Sequence, residues 1–132
     1  IGVSSYFPLS EDKTPSVNKL VKAWQPIVSS MKSYSEQQGV PILFTEYGYL
    51  SVDGCAGKTW ELEKKVKKLS INQQAQANAL AAVYVAFGKE DFWAGGFLWK
   101  WFPNDRGHEG YIERDYTVKN KLAEKVLTEW FK

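Results

Sequence analysis

Three short apolar runs, each followed by a longer stretch of helical periodicity, leave this chain few folds to choose from. The runs open at Ile1, Val40 and Phe92. Apolar runs of this length read as buried strands, and apolar residues recurring every three or four positions read as helices. Behind the first run, Val17, Leu20, Val21, Trp24, Ile27, Val28 and Met31 form such a stripe, with Ser16 as its cap and Gly39 as its stop. Pro26 falls inside it and is expected to kink the helix or to start a second segment. Behind the second run, Ala75, Ala79, Leu80, Val83, Ala86 and Phe87 form a stripe ended by Gly88. Behind the third, Leu122, Ala123, Val126, Leu127 and Trp130 form one, with Thr117 or Asp115 as its cap.

The expected strands lie near 1–6, 40–46 and 94–100, and the expected helices near 16–38, 72–88 and 117–131. Strands joined by helical crossovers pair in parallel with right-handed connections. The fold class is therefore α/β. Three such units are too few to cover both faces of a parallel sheet, but they match the last three βα units of a (β/α)8 TIM barrel of about 250 residues. A chain that opens inside a core strand is also expected to be a piece of something longer, because termini usually lie at the surface.

The second strand ends on a carboxylate. Pro41 to Leu50 reads Pro-Ile-Leu-Phe-Thr-Glu-Tyr-Gly-Tyr-Leu, so Glu46 stands at the carboxyl end of a buried strand, just before Gly48. In α/β proteins ligands bind at that end. A lone strand-end carboxylate also serves as a surface charge or as a partner for a nearby Lys or Arg. The aromatic residues around Glu46 favour the ligand-site reading. On a regular pleat Tyr6 faces the same side as Glu46, and Phe97, Trp99 and Trp101 share a face of the third strand. The same alternation sends Ile42, Phe44, Phe97 and Trp99 to the inner face of the sheet.

Composition removes several function classes. A net charge of +2 gives no global attraction to nucleic acid or anionic membrane. No apolar run reaches the length of a membrane span. Cys55 is the single cysteine and His108 the single histidine, and the two are far apart, so neither a disulfide framework nor a metal site is expected. No cofactor is indicated. Six Trp are many for 132 residues, and some are expected on a ligand-binding surface. Trp24, Trp93 and Trp130 are assigned to core or helix packing. The connection from Tyr49 to Ser70 is long enough to cover a site. Within it, Glu61 and Glu63 read as the solvent face of a short helix, and the Lys64–Lys68 run as a solvated helix face rather than an anion-binding patch.

Phe-Thr-Glu-Tyr-Gly-Tyr at 44–49, followed by Gly-Gly-Phe-Leu-Trp-Lys-Trp at 95–101, resembles the end of a clan A glycoside hydrolase. Within that clan the chain is similar to the family 113 β-mannanases. These share the Thr-Glu-x-Gly-Tyr stretch, a Trp-rich eighth strand and a tail like Tyr116 to Ala123. The usual tail has Pro at the places of Val118 and Leu122 and Gly at that of Asn120, departures that touch the last helix only. The resemblance spans nearly the whole chain but only the last third of the family's length.

It implies that residues 1–132 are the C-terminal part of a single catalytic barrel. It makes Glu46 the nucleophile of a retaining glycosidase, Tyr6 the donor to Glu46, and Trp99 the floor beneath the sugar; Trp101 is the weaker candidate for substrate binding. For Tyr6, an ordinary buried tyrosine with a satisfied hydroxyl remains an equal reading. The implied substrate is a β-1,4-linked oligo- or polysaccharide, β-mannan first, and the implied setting is secreted or cell-envelope. The second carboxylate that such chemistry needs ends the family's fourth strand, upstream of Ile1. Glu109, beside His108, is a remote local substitute. The expected partners are the remaining N-terminal part of the barrel or a second copy of the chain. The alternative is a non-catalytic polysaccharide-binding α/β module or an inactive fragment. Glu46 separates the two, because gripping a sugar does not require a carboxylate at the end of a buried strand.

Overall fold

The computed structural model describes residues 1–104 and 111–132; Glu109 and His108 lie outside them. Three strands, β1 (Gly2–Ser4), β2 (Ile42–Tyr47) and β3 (Trp93–Leu98), form one sheet in that order. Both pairings are parallel. β1 is shorter than the expected 1–6, though its direction continues, since Ser5 N donates to the Glu46 carbonyl at 2.7 Å.

The helices are α1 (Val17–Gln38), α2 (Thr59–Glu63), α3 (Gln73–Phe87) and α4 (Leu122–Trp130). Ser16 Oγ accepts from Lys19 N at 3.2 Å and Gly39 closes α1 at φ 65°, so both ends are as expected. Pro26 sits inside a single 22-residue helix and does not divide it. Proline removes one i→i−4 bond, and the buried stripe of Leu20, Trp24, Val28 and Met31 outweighs that loss. Each such side chain contributes about 1.5–3 kcal/mol when fully buried.

α3 packs against both α1 and α4, so it is buried almost all round and needs no single apolar stripe. The core is a chain of edge-on rings: Trp24 meets Phe87, Phe87 meets Phe44, and Phe44 meets Trp93. Trp130 stacks on Tyr84 at 5.3 Å. Among the described residues, no helix is long and apolar enough to cross a membrane.

Two expectations fail on local geometry. α4 starts at Leu122 rather than near 117, and neither Thr117 nor Asp115 caps it. Asp115 Oδ1 accepts instead from Thr117 N, and Asn120 takes a left-handed φ of 61°, which no helix tolerates. Ile42 and Phe44 do not line the open face of the sheet. Both are buried beneath the helices, while Thr45 is exposed.

The cause of the second failure is a bulge. Val3 pairs with Phe44 and Ser4 with Glu46, so β1 advances one residue while β2 advances two. On the other side Phe44 pairs with Gly96 and Tyr47 with Leu98, so β2 again carries one residue more than its neighbour. An extra residue breaks the two-residue alternation and re-aims the side chains beyond it. Phe44 and Tyr47 therefore both face the helices, and Glu46 is released to the open side. β3 answers with its own irregularity between Trp93 and Gly96, where Gly95 holds φ 100°, a conformation that suits glycine alone.

Candidate functional site

Glu46, Tyr6 and Trp99 stand where three parallel strands end. Glu46 is half-buried, and its Oε2 accepts from the Tyr6 hydroxyl at 3.1 Å. Burial, then the hydrogen bond to Glu46, then the charges of Glu46 and Glu63 hold the Tyr6 hydroxyl well above the usual phenol range. It therefore stays a donor.

Trp99 follows β3 and is 37% exposed. Its N–H donates to the Tyr47 carbonyl at 2.7 Å, and the Trp99–Lys100 peptide is cis. The backbone at Gly48 passes so close that a Cβ there would lie 1.9 Å from the Trp99 carbonyl oxygen. Glycine at 48 is thus the condition for the end of β3 to lie against the end of β2. Lys100 Nζ lies 4.7 Å from the Trp99 ring centroid.

These three residues line one cleft of about 250 Å³ together with Thr59, Trp60, Glu63 and Tyr116. Trp101 is 53% exposed and is not part of that lining. The four additional residues come from the long connection and the tail. α2 carries Thr59, Trp60 and Glu63. Glu61 points outward to Lys58 at 3.7 Å, as its solvent-face reading requires. Glu63 is exposed as well, and its Oε1 also accepts from the Tyr116 hydroxyl at the cleft wall. Trp60, 48% exposed, is the residue that the sequence reading passed over. Positions 60 and 63 are one helical turn apart and share a face, but a five-residue helix carries no stripe that shows which way that face points. The Lys64–Lys68 run is solvated, with only Val66 half-buried.

Tyr116 is buried, and its ring meets Tyr6 edge-on at 6.4 Å. Burial, then the Glu63 hydrogen bond and charge, push its hydroxyl far above the phenol range, so it too remains a donor. A polar clamp fixes it there. Gln76 Nε2 donates to the carbonyls of Tyr49, Tyr116 and Thr117 at 2.9, 3.2 and 3.3 Å. Lys121, whose side chain is 4% exposed, donates to Ser51 Oγ at 2.7 Å and to the Asp115 carbonyl at 3.0 Å. The segment before α4 is thereby tied to α3 and to the chain just past β2.

The resulting arrangement is two carboxylates, each held by a tyrosine hydroxyl, in a small cleft bounded by two exposed indoles. It suits a neutral, hydroxyl-rich ligand with apolar faces. Carboxylates accept from hydroxyls, and indoles stack on C–H faces.

The comparisons with known proteins agree with one another. The model described as Glycoside Hydrolase Family 113 matches residues 1–121. A GH113 β-1,4-mannanase solved as a complex superposes with a TM-score of 0.73 at 21% identity, over 98% of this chain and 38% of that one. A GH113 β-mannanase from Alicyclobacillus acidocaldarius, in complex with ManMIm, gives 0.72 at 21% identity, over 98% and 37%. No curated protein matches the chain. The chain thus spans less than two fifths of the solved structures it resembles, as three βα units of their barrel.

Proposed function

The chain belongs to glycoside hydrolase family 113, and from that premise we propose that it forms part of the catalytic barrel of a retaining glycosidase acting on β-1,4-linked polysaccharide, β-mannan first. Residues 1–132 are the C-terminal part of that single barrel domain. Glu46 is the nucleophile. The observation that carries this reading is the 3.1 Å hydrogen bond from Tyr6 to Glu46 Oε2, at the carboxyl end of a parallel sheet and in one cleft with Trp99.

In a retaining mechanism the nucleophile attacks the anomeric carbon as the glycosidic bond breaks, and a second carboxyl group about 5–5.5 Å away protonates the leaving oxygen. Water then releases the glycosyl-enzyme, with the second group acting as base. Tyr6 orients the Glu46 oxygen and Trp99 supports the sugar ring. Glu63 already accepts from Tyr116 and serves as an acceptor, so the proton donor comes from outside these residues. Glu46→Gln in the full-length protein is expected to cut turnover by about a thousandfold or more with little loss of stability. A mechanism-based glycosyl inhibitor should label Glu46. Turnover near that of the parent protein in the Gln variant would end the assignment.

A further inference from the structure

Gln76 is 0% exposed on α3 and lies behind the cleft rather than in its lining. Its buried neighbours on that helix include Ala75, Ala79, Leu80 and Val83. A residue needed only for packing would be apolar like them. The Gln76 amide instead works from one end. Nε2 donates to the Tyr49, Tyr116 and Thr117 carbonyls at 2.9, 3.2 and 3.3 Å, while Oε1 has no hydrogen-bond partner among the described residues. A buried amide oxygen without a donor costs stability, so what this side chain contributes is its donor end.

The three carbonyls belong to two segments. Tyr49 stands three residues past Glu46, and Tyr116 and Thr117 belong to the tail. Tyr6 links the same two segments from the cleft side. Its hydroxyl donates to Glu46 Oε2 at 3.1 Å, and its ring meets Tyr116 edge-on at 6.4 Å. Gln76 therefore sets, from the buried side, the gap that Tyr6 spans in the cleft. Lys121 makes a parallel tie between Ser51 and Asp115, but it is charged and stops one residue short of Tyr116. Gln76 bonds the Tyr116 carbonyl itself and is neutral, so replacing it leaves the charge around the site unchanged.

We infer that Gln76 is a positioning residue for the reaction at Glu46: by holding the Tyr116 segment to the chain past β2, it keeps the Tyr6 hydroxyl aimed at Glu46 Oε2. The inference rests on the glycosidase reading with Glu46 as nucleophile. Misplacing a group by about 1 Å can cost roughly a hundredfold in rate, even when the substituted residue is remote from the chemistry.

A double-mutant cycle in the full-length protein tests this, read as kcat/KM on mannotetraose. Gln76→Met, which has nearly the same length and no donor, is expected to lower it by about fivefold or more in the parent. In Tyr6→Phe, where the hydrogen bond it aims is already gone, the same change is expected to cost less than about twofold. A merely structural role cannot give that pattern. Loss of folded protein removes the same fraction of activity in both backgrounds, and so does a displaced Tyr116 or Glu63 that meets substrate directly. Gln76→Asn, which keeps the amide on an arm one methylene shorter, goes through the same cycle. It is expected to show the same non-additivity and carries the test if the Met variant does not fold. An equal loss in both backgrounds, or a loss below about twofold in the parent, overturns the positioning role alone. The glycosidase reading fails differently: the parent does not hydrolyse mannotetraose, or Glu46→Gln hydrolyses it at the parent's rate, and the positioning role then falls with it.

Discussion

Tyr6 brings one donor to one oxygen of Glu46, across forty residues of sequence. A hydrogen bond to a charged group is worth about 1.5–3 kcal/mol, which corresponds to roughly a ten- to hundredfold change in rate if it acts in the transition state. Tyr6→Phe is therefore expected to lower kcat/KM by that factor while leaving the edge-on contact with Tyr116 intact; steady-state kinetics on mannotetraose decides it. Glu46, Tyr6 and Trp99 were legible in the sequence because each stands at the end of an apolar run, where position along the strand implies position at the site. Trp60 and Glu63 were not. Their helix is five residues long, less than two turns, and so short an element leaves no periodic stripe from which its facing can be read. Tyr116 was visible only as part of a tail motif, because its place in the cleft depends on hydrogen bonds from Gln76 and Lys121, which carry no local signature.

Helix and strand order were legible throughout, since burial of 3.6-period stripes behind apolar strands is what periodicity encodes. The facing of β2 was not, because a bulge is an odd step that period-two reasoning cannot see. The close approach of β2 and β3 at their ends has a measurable consequence. In Gly48→Ala the new Cβ meets backbone, the Trp99 carbonyl, which cannot swing aside. We expect a loss of about 1–3 kcal/mol in chemical denaturation, together with displacement of Trp99. The tie between α4 and the chain past β2 is pH-sensitive. Burial pulls the Lys121 ammonium down from 10.5 to about 8, against the opposing pull of Asp115 and, less, of Glu113. The folded state then binds fewer protons than the unfolded state between those two values, so this lysine makes stability rise with pH there and fall as pH drops through about 8. Cys55, pushed up from 9.0 to about 12 by its burial, works in the opposite direction above pH 9. The clean window is pH 8 to 9. There the unfolding free energy is expected to climb by about 1 kcal/mol more in the parent chain than in Lys121→Met, and parallel curves for the two would refute the linkage.

The whole molecule presents one face of its sheet to helices and leaves the other open. Phe97 is 66% exposed on the open side, and among the described residues β1 and β3 each offer an edge that pairs with no further strand. Unpaired edges recruit further strands, and apolar surface seldom stays bare. The 132-residue chain in isolation is accordingly expected to self-associate, or to be recovered bound to the remainder of its barrel. Sedimentation at micromolar concentration that gives a sharp monomer would mean that this face needs no cover. The bulge in β2 also bears on how such a protein can change over generations. Below it, even-numbered residues of the strand belong to the core; above it, Glu46, also even, belongs to the cleft. The side chains that hold the fold and those that meet the ligand are thus drawn from separate sets on one short strand. Replacements on the open side can be sampled without disturbing the ring chain beneath. A lineage carrying this bulge can alter what it recognises while inheriting its core unchanged.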